Sequence, residues 1–331
     1  MKLRTEIERT PLRQLIGCRE GVLLIGSCFT DNIGSWLSES WLPVMSNPWG
    51  VLFNPASIAA SLRRIQALCS ADAGTAPAFE LHEMNGSFYS FGHHGRWSGD
   101  DAHALQHQLH TLDQRVSDFY RQARHLVITF GTSWVYEREG RVVANCHKFS
   151  ASEFVRRRLS VDEIVEMWSE LIEQSAVGRE MTEPLHFVFT VSPIRHVKDT
   201  LHGNQLSKAT LLLAIDELQH RYPQQVEYLP VYELLNDDLR DYRFYADDLV
   251  HPSTIAISMV RELVSECAMD DEMRRYLQEA SPIIKALQHR PSNPEDESYR
   301  KFVSDTLQRK DALLSKYHLP LSDFDCLNLE V

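Results

Sequence analysis

A serine and a cysteine stand side by side in the stretch LLIGSCFTDNIG (Leu23 to Gly34), where a short apolar run breaks into a predicted helix. Either side chain can act as a nucleophile, because a deprotonated hydroxyl or thiol attacks a carbonyl carbon and forms a covalent acyl intermediate. A thiol at a helix start lies near unpaired N–H groups, which predicts a lowered pKa for Cys28. The pattern leaves Ser27 open as the nucleophile, with Cys28 then a small buried side chain.

A second stretch, YADDLVHPS (Tyr245 to Ser253), supplies the groups that such a nucleophile needs. Asp248 and His251 lie three residues apart at the opening of a predicted helix, so both side chains can face one pocket. An imidazole takes the proton from the nucleophile, while a carboxylate fixes the tautomer of that imidazole. The same spacing also occurs in solvated loops that cap a helix, so it does not define a catalytic pair by itself.

Composition limits the classes of function that these residues can serve. The chain has 331 residues, 43% of them hydrophobic, and a formal net charge of -12, which disfavours a nucleic-acid partner. No signal-peptide block and no run of 18 apolar residues is present, so we expect a cytoplasmic protein without a membrane partner. Six cysteines without a C-x-x-C pair indicate reduced thiols. Small-molecule or glycan chemistry fits these properties best.

Strand and helix patterns alternate along most of the chain. The alternation predicts a parallel sheet covered by helices on both faces, with ligands at the carboxyl ends of the strands. Pro291 to Ser298 is the only linker-like stretch. The predicted strands are Val22 to Ile25, His125 to Gly131, Leu185 to Pro193 and Val226 to Pro230. The predicted helices follow Asn54 and span His103 to Gln122, Ser160 to about Gln174, Asn204 to Arg221, Thr254 to Cys267, Glu272 to Gln288 and Glu295 to Lys316.

The order of several motifs resembles the GSCFA family, which is similar to the larger SGNH (GDSL-type) hydrolase superfamily. The defining motif reads Gly26-Ser27-Cys28-Phe29-Thr30, and it is followed by NPWGVLFNPASI, TFGTSWVY, VANCHK, VSPIRHVKD and RFYADDLVHPS. The resemblance implies a flavodoxin-like three-layer α/β/α sandwich with a nucleophile after the first strand and a terminal Asp-x-x-His. We divide the chain into an SGNH-like domain at residues 1–268 and a helical C-terminal extension at residues 269–331.

Site residues carry over from this resemblance. An ungapped match places the nucleophilic serine of the superfamily on Cys28 and its preceding Asp on Ser27, whereas a shift by one residue makes Ser27 the nucleophile. The nucleophile's own N–H is one oxyanion donor, and the resemblance adds that of Gly50 in the second block and Gly131 in the third. Ser133 stands where the superfamily has an asparagine, and Asn145 is a further amide for this role.

Three more residues are candidates for substrate binding. Arg195 and His196 end a predicted strand and can neutralise an anionic group, and a surface loop explains them equally well. Trp134, with Trp49 and Tyr136, can form a platform for a sugar, although core packing is the commoner use of such rings. His93, His94, Cys146, His147 and His196 lack the spacing of a metal site, so we predict neither a metal nor another cofactor.

The sequence therefore predicts an acyl-ester hydrolase or acyltransferase that forms a covalent acyl-enzyme. The expected substrate is a small-molecule or carbohydrate ester, with O-acyl groups of carbohydrate as the leading class. A non-catalytic protein that binds carbohydrate or acyl ligands on the same fold is the alternative, because the third-block asparagine is missing. The oligomeric state is not predicted.

Overall fold

The computed structural model describes residues 5–70, 77–181, 183–290 and 297–320. Five parallel strands form the central sheet in the order β11-β10-β6-β1-β2, which is the flavodoxin-like order, and two small antiparallel sheets, β3-β4-β5 and β8-β7-β9, lie beside it. The strands are β1 (Gly21–Gly26), β2 (Val44–Ser46), β3 (His82–Met84), β4 (Ser87–Tyr89), β5 (Ser98–Gly99), β6 (Ala123–Phe130), β7 (Trp134–Arg138), β8 (Arg141–Val143), β9 (Val155–Arg158), β10 (His186–Val191) and β11 (Val226–Tyr228).

Helices cover both faces of the central sheet. Their bounds agree with the predicted ones to within a few residues, and the capping box of Ser160 and Glu163 is present at the start of α4. They are α1 (Cys28–Glu39), α2 (Pro55–Cys69), α3 (Ala102–Gln122), α4 (Val161–Glu173), α5 (Thr200–Arg221), α6 (Val231–Glu233), α7 (Thr254–Ala268), α8 (Asp271–Leu287) and α9 (Glu297–Lys316). Residues 291–296 of the predicted linker lie outside the described ranges.

Successive side chains of the buried strands point to opposite faces of the sheet, so they contribute to two separate hydrophobic cores. Leu23 and Ile25 of β1 point to the face covered by α2, α3, α4 and α5, whereas Val22 and Leu24 point to the face covered by α1 and α7. The predicted α/β/α sandwich with a parallel sheet and a helical C-terminal region is therefore confirmed. In the described part of the chain, no helix is long and apolar enough to span a membrane.

The amino ends of the strands carry the N-terminal segment and the C-terminal helices. The N–H groups of Leu12 and Ile16 donate to the carbonyl oxygens of Cys267 and Ala268, at 2.7 and 2.8 Å. The hydroxyl of Tyr276 on α8 donates to the carbonyl oxygen of Ser40, just after α1, at 2.6 Å. Helices α1 and α7 thus both end at this edge, which leaves the carboxyl edge of the sheet for a site.

A chain of four side chains, three of them buried, also lies at the amino edge. His125 of β6 and His186 of β10 contact each other through their Nδ1 atoms at 3.0 Å. The Nε2 of His125 lies 2.8 Å from Glu20, and the Nε2 of His186 lies 2.9 Å from Glu227. Burial, opposed by the hydrogen bond with Glu20, lowers the pKa of His125.

Candidate active site

The candidate nucleophiles lie where β1 ends. Gly26 has φ +154, and a Cβ at this position would come within 2.3 Å of the carbonyl oxygen of Thr129 on the neighbouring strand. Only glycine fits this close approach of two backbones. Ser27 is then the N-cap of α1 and Cys28 is its first helical residue, as the sequence predicts.

The two candidates differ in exposure. Ser27 is 1% exposed, and its Oγ has no hydrogen-bond partner in the part of the chain that the structure describes. Cys28 is half-buried, and its thiol is free. Because a nucleophile must reach its substrate, Cys28 is the better placed of the two side chains.

The environment of Cys28 does not match the predicted lowered pKa. Burial raises the pKa of this thiol, and the negative charge of Asp31 raises it further. The N–H groups of Cys28 and Phe29 favour the thiolate, but they do not outweigh these two effects. Cys28 is therefore held as a thiol and needs a proton acceptor.

Asp31 belongs to a network that the sequence did not reveal. Its Oδ1 accepts a hydrogen bond from Nδ2 of Asn47 at 2.6 Å, and Oδ1 of Asn47 accepts from the N–H of Gly26 at 2.8 Å. The guanidinium of Arg96 donates to the carbonyl oxygen of Asn47 at 2.7 Å. Burial raises the pKa of Asp31, although Asn47, Arg96 and His94 oppose the shift. The loop NPWG is thus bound to the helix that carries Cys28.

Asp248 and His251 form the predicted pair. The Nδ1 of His251 lies 2.5 Å from Oδ2 of Asp248, and Oδ1 of Asp248 accepts the N–H groups of Val250 and His251, each at 2.9 Å. Hydrogen bonds from these two backbone groups, and from the imidazole, lower the pKa of Asp248 to about 2. A proton on Nδ1 leaves Nε2 of His251 as a proton acceptor.

The loop with this pair lies at the same edge of the sheet as Cys28. Helix α7 begins just after it and packs on α1, where Nη2 of Arg261 donates to the carbonyl oxygen of Asn32 at 3.4 Å. Both helices run from the carboxyl edge to the amino edge, so their starts share one edge. Among the described residues, the hydroxyl of Ser27 has no hydrogen-bond partner, so it is not hydrogen-bonded to His251.

The predicted oxyanion donors Gly50, Gly131 and Ser133 are engaged elsewhere. The N–H of Gly50 donates to the carbonyl oxygen of Asn47, and that of Gly131 donates to the carbonyl oxygen of Phe53, both at 2.8 Å. Ser133 is fully buried, and its hydroxyl donates to Ser207 at 3.1 Å. As the structure stands, these three groups are not free donors, because local turns and packing already satisfy them.

Asn145 is placed differently. Its Oδ1 accepts the N–H of His147 at 2.9 Å, and its Nδ2 lies 3.7 Å from the position that a Cβ on Gly95 would occupy. The neighbouring His94 packs directly on Gly50. The amide of Asn145 therefore lies beside the NPWG loop.

His196 lies between the other site segments. Its ring contacts Phe53 edge to face at 5.9 Å between centroids, and its N–H donates to Oδ1 of Asn204 at 3.0 Å. Burial lowers its pKa to about 4, and the charges of Lys208, Arg156 and His251 add to this shift. His196 is therefore neutral at pH 7 and does not supply the positive charge that the sequence suggested.

The predicted aromatic platform is only partly formed. Trp49 is 1% exposed and belongs to the core. Trp134 and Tyr136 instead hold the guanidinium of Arg156, at 5.3 and 5.0 Å from the ring centroids. Arg156 also pairs with Asp199. Trp134 therefore packs on the guanidinium of Arg156 near His196 and does not form an open platform for a sugar.

Lys208 is a further residue at this edge of the sheet that the sequence did not predict. Its side chain is fully buried, and burial lowers its pKa to about 7. Its Nζ donates to the carbonyl oxygens of Gly131 and Ser192 at 2.5 and 2.7 Å. A signal existed, because Lys208 falls on the apolar stripe of α5 with Leu211 and Ile215.

Several histidines support the loops around the site. Nδ1 of His93 lies 2.8 Å from the hydroxyl of Ser90, and Nε2 of His147 lies 2.8 Å from the carbonyl oxygen of Ser90. Burial lowers the pKa of His93 to about 4. Within the described ranges, no three His, Cys, Asp or Glu side chains are grouped to hold a metal.

The fold defines an α/β protein with a five-stranded parallel sheet, and Cys28 lies where β1 ends and α1 begins. Residues 21–263 match the model of the GSCFA family, and residues 280–323 match that of the GSCFA domain protein C-terminal domain. The chain belongs to the GSCFA family. A comparison with curated proteins finds no match.

Proposed function

We propose that this protein is an acyl-ester hydrolase or acyltransferase of SGNH-like type, with Cys28 as its nucleophile. The observation that supports this most directly is the contrast at the start of α1, where Cys28 is half-buried and Ser27 is almost fully buried. The Asp248–His251 pair at the same edge supplies a proton acceptor. Both groups are needed because the thiol is protonated at rest.

The proposed reaction has two halves. In the first, Nε2 of His251 takes the thiol proton, Sγ of Cys28 bonds to the ester carbonyl carbon, and the resulting oxyanion collapses as the C–O bond breaks. The leaving alcohol takes the proton back from His251, and a thioester remains on Cys28. In the second half, water or an acceptor hydroxyl gives its proton to His251 and attacks the thioester, which returns the thiol.

The oxyanion requires donors near the sulfur. The N–H groups of Cys28 and Phe29 at the start of α1 already interact with Sγ. The first N–H groups of a helix have no partner within the helix, so they can also stabilise a developing negative charge. Asn145 is the candidate for a side-chain donor. Gly50, Gly131 and Ser133 are not used in this proposal.

The engaged donors favour one alternative, a protein that binds an acyl or carbohydrate ligand without turnover. The raised pKa of Cys28 also favours this alternative, because a protonated thiol is a weak nucleophile. The two functions differ in whether a covalent intermediate forms. Binding alone leaves the mass of the protein unchanged, whereas acyl transfer adds one acyl group.

The test is mass spectrometry of the intact protein after exposure to p-nitrophenyl acetate, with release of p-nitrophenol followed in parallel. We expect one acetyl group on the peptide that contains Cys28 and a burst of p-nitrophenol. Cys28→Ala should abolish both signals. Cys146→Ala removes another half-buried thiol and should preserve them. Binding without an adduct would favour the alternative, and an adduct on Ser27 would move the nucleophile.

A further inference from the structure

A cavity of about 380 Å³ opens beyond the carboxyl ends of β10 and β11. Three tyrosines line it, Tyr232, Tyr242 and Tyr245, together with Arg195. The guanidinium of Arg195 lies 4.4 Å from the ring centroid of Tyr245 and 5.7 Å from that of Tyr242. The cavity thus combines flat aromatic faces with a fixed donor.

We propose that this cavity binds a sugar unit, which is the alcohol part of the ester; the assignment rests on the proposed function. Sugars present C–H faces that pack on aromatic rings and hydroxyls that pair with polar side chains at the ring edges. A volume of a few hundred Å³ is in the range of small-ligand sites. The chemistry of the lining decides among ligand classes.

The lining carries charges of both signs. Arg195 and Arg240 lie in it together with two carboxylates, Asp237 and Asp241, and Asp241 pairs with Arg243 at 2.8 Å. Carboxylates in a lining repel phosphate and other polyanions. The two aspartates therefore favour a neutral, hydroxylated ligand.

Several polar atoms of the lining keep capacity for hydroxyl groups. Nη2 of Arg195 donates to the hydroxyl of Tyr245 at 2.7 Å, and a guanidinium has five N–H groups to donate. Nδ2 of Asn236 donates to the carbonyl oxygen of Tyr232 at 2.9 Å, which leaves Oδ1 to accept. A guanidinium and an amide oxygen provide the donor and the acceptor that adjacent sugar hydroxyls need.

The cavity shares a wall with the catalytic loop. Tyr245 pairs with Pro252 in an isolated bridge, and the N–H of Ala246 donates to the carbonyl oxygen of His251 at 2.8 Å. Arg195 precedes His196, whose pKa is affected by the charge of His251. A sugar in the cavity is therefore held by the same segments that position the general base.

The test is calorimetric titration with neutral sugars, namely glucose, N-acetylglucosamine, xylobiose, cellobiose and maltose, and with inorganic phosphate as the anionic probe. We expect at least one sugar to bind and phosphate not to bind. Tyr242→Ala should weaken that binding at least tenfold, because the ring is 62% exposed and its loss opens the cavity. Phe302→Ala removes an exposed aromatic ring from α9 and should leave binding unchanged.

Binding of none of the sugars, binding of phosphate in their place, or equal sugar binding by the Tyr242→Ala protein would overturn the proposal. The p-nitrophenyl acetate reaction separates this outcome from failure of the proposed function. That small ester needs Cys28 and not the cavity, so the wild-type protein should form the acetyl adduct whether or not it binds a sugar. An adduct without sugar binding would overturn the cavity assignment alone, whereas an absent adduct would overturn the proposed function.

Discussion

The Nζ atom of Lys208 lies 2.5 Å from the carbonyl oxygen of Gly131, directly after the carboxyl end of β6. The same amine donates to the carbonyl oxygen of Ser192, directly after β10, at 2.7 Å. These two strands lead into the segments that carry Ser133 and His196. A single buried amine therefore fixes the spacing of two neighbouring loops at the candidate active site.

Replacement of Lys208 by Met should destabilise the protein by about 2 kcal/mol, because two buried carbonyl oxygens lose their donor. The difference in the free energy of unfolding between the wild-type protein and this variant should depend on pH. Burial lowers the pKa of Lys208 to about 7, far below that of an unfolded lysine, so the unfolded chain binds more protons between these values. The contribution of Lys208 to stability therefore rises with pH above about 7. Urea unfolding of both proteins at pH 6 and pH 9 should show a larger difference at pH 9.

Lys198→Met is the matched control, because Lys198 is exposed and donates a hydrogen bond to the hydroxyl of Tyr136 at 2.9 Å. This variant should change the free energy of unfolding by less than about 0.5 kcal/mol at either pH. A Lys208→Met difference that stays constant from pH 6 to pH 9 would contradict the burial argument.

His251→Ala should reduce ester turnover by about 10² to 10⁴, because the general base is lost. Asp248→Asn should cost less but still impair turnover, since the carboxylate fixes the tautomer of the imidazole. Neither change should alter the melting temperature appreciably, as both side chains are about half exposed. Steady-state kinetics and thermal unfolding test this together, with His220→Ala on the exposed side of α5 as the control. Full activity of His251→Ala would remove this residue from the mechanism.

Asp31→Asn should make Cys28 more reactive toward iodoacetamide at neutral pH. The negative charge of Asp31 raises the pKa of the thiol, so its removal lowers that pKa and increases the thiolate fraction. The rate of Cys28 alkylation, followed by peptide mapping from pH 6 to pH 10, should shift to lower pH. Buried Cys18, Cys69 and Cys267 should stay unlabelled in both proteins. An unchanged pH profile would show that Asp31 does not face the thiol.

Glu227→Gln should destabilise the protein by about 2 kcal/mol at pH 7, because one of the two carboxylate oxygens that accept hydrogen bonds from His186, Arg13 and Gln14 becomes an amide NH2 group, which cannot accept. Burial disfavours the Glu227 carboxylate, but hydrogen bonds from His186 and from the N–H groups of Arg13 and Gln14 outweigh it and lower its pKa to about 2. A lowered carboxyl pKa contributes stability above the unfolded value near 4.5, and this contribution is lost as pH falls toward 2. The difference between wild type and variant should therefore shrink between pH 5 and pH 3, as measured by denaturant unfolding. Glu217→Gln, on the exposed surface of α5, should have little effect at any pH.

Local patterns were enough for most of the fold. The apolar runs of β1, β6 and β10 and the capping box at Ser160 depend on neighbouring residues, so the sequence predicts them. Strand β2 has only the residues Val44–Ser46, and its pairing with β1 is a long-range contact without a periodic signal. The small antiparallel sheets were missed for the same reason.

The site residues also fall into two groups, those that local spacing brings together and those that meet only through tertiary packing. Asp248 and His251 are three residues apart, so their pairing follows from local geometry, whereas Asn47 and Asp31 meet only through the packing of a loop on α1. The partial exposure of Cys28 and the burial of Ser27 depend on how α1 packs against β6. The identities of these two adjacent residues do not predict which of them is exposed.

The hydrogen bonds of Leu12 and Ile16 to the end of α7 set a physical limit on where this domain starts. The family match begins at residue 21. A protein shortened to that boundary would leave the carbonyl oxygens of Cys267 and Ala268 without their donors and would remove the apolar cover that Leu12 and Ile16 provide. Residues before the match therefore hold the end of α7 in place, and the packed structure extends beyond the segment that sequence similarity defines.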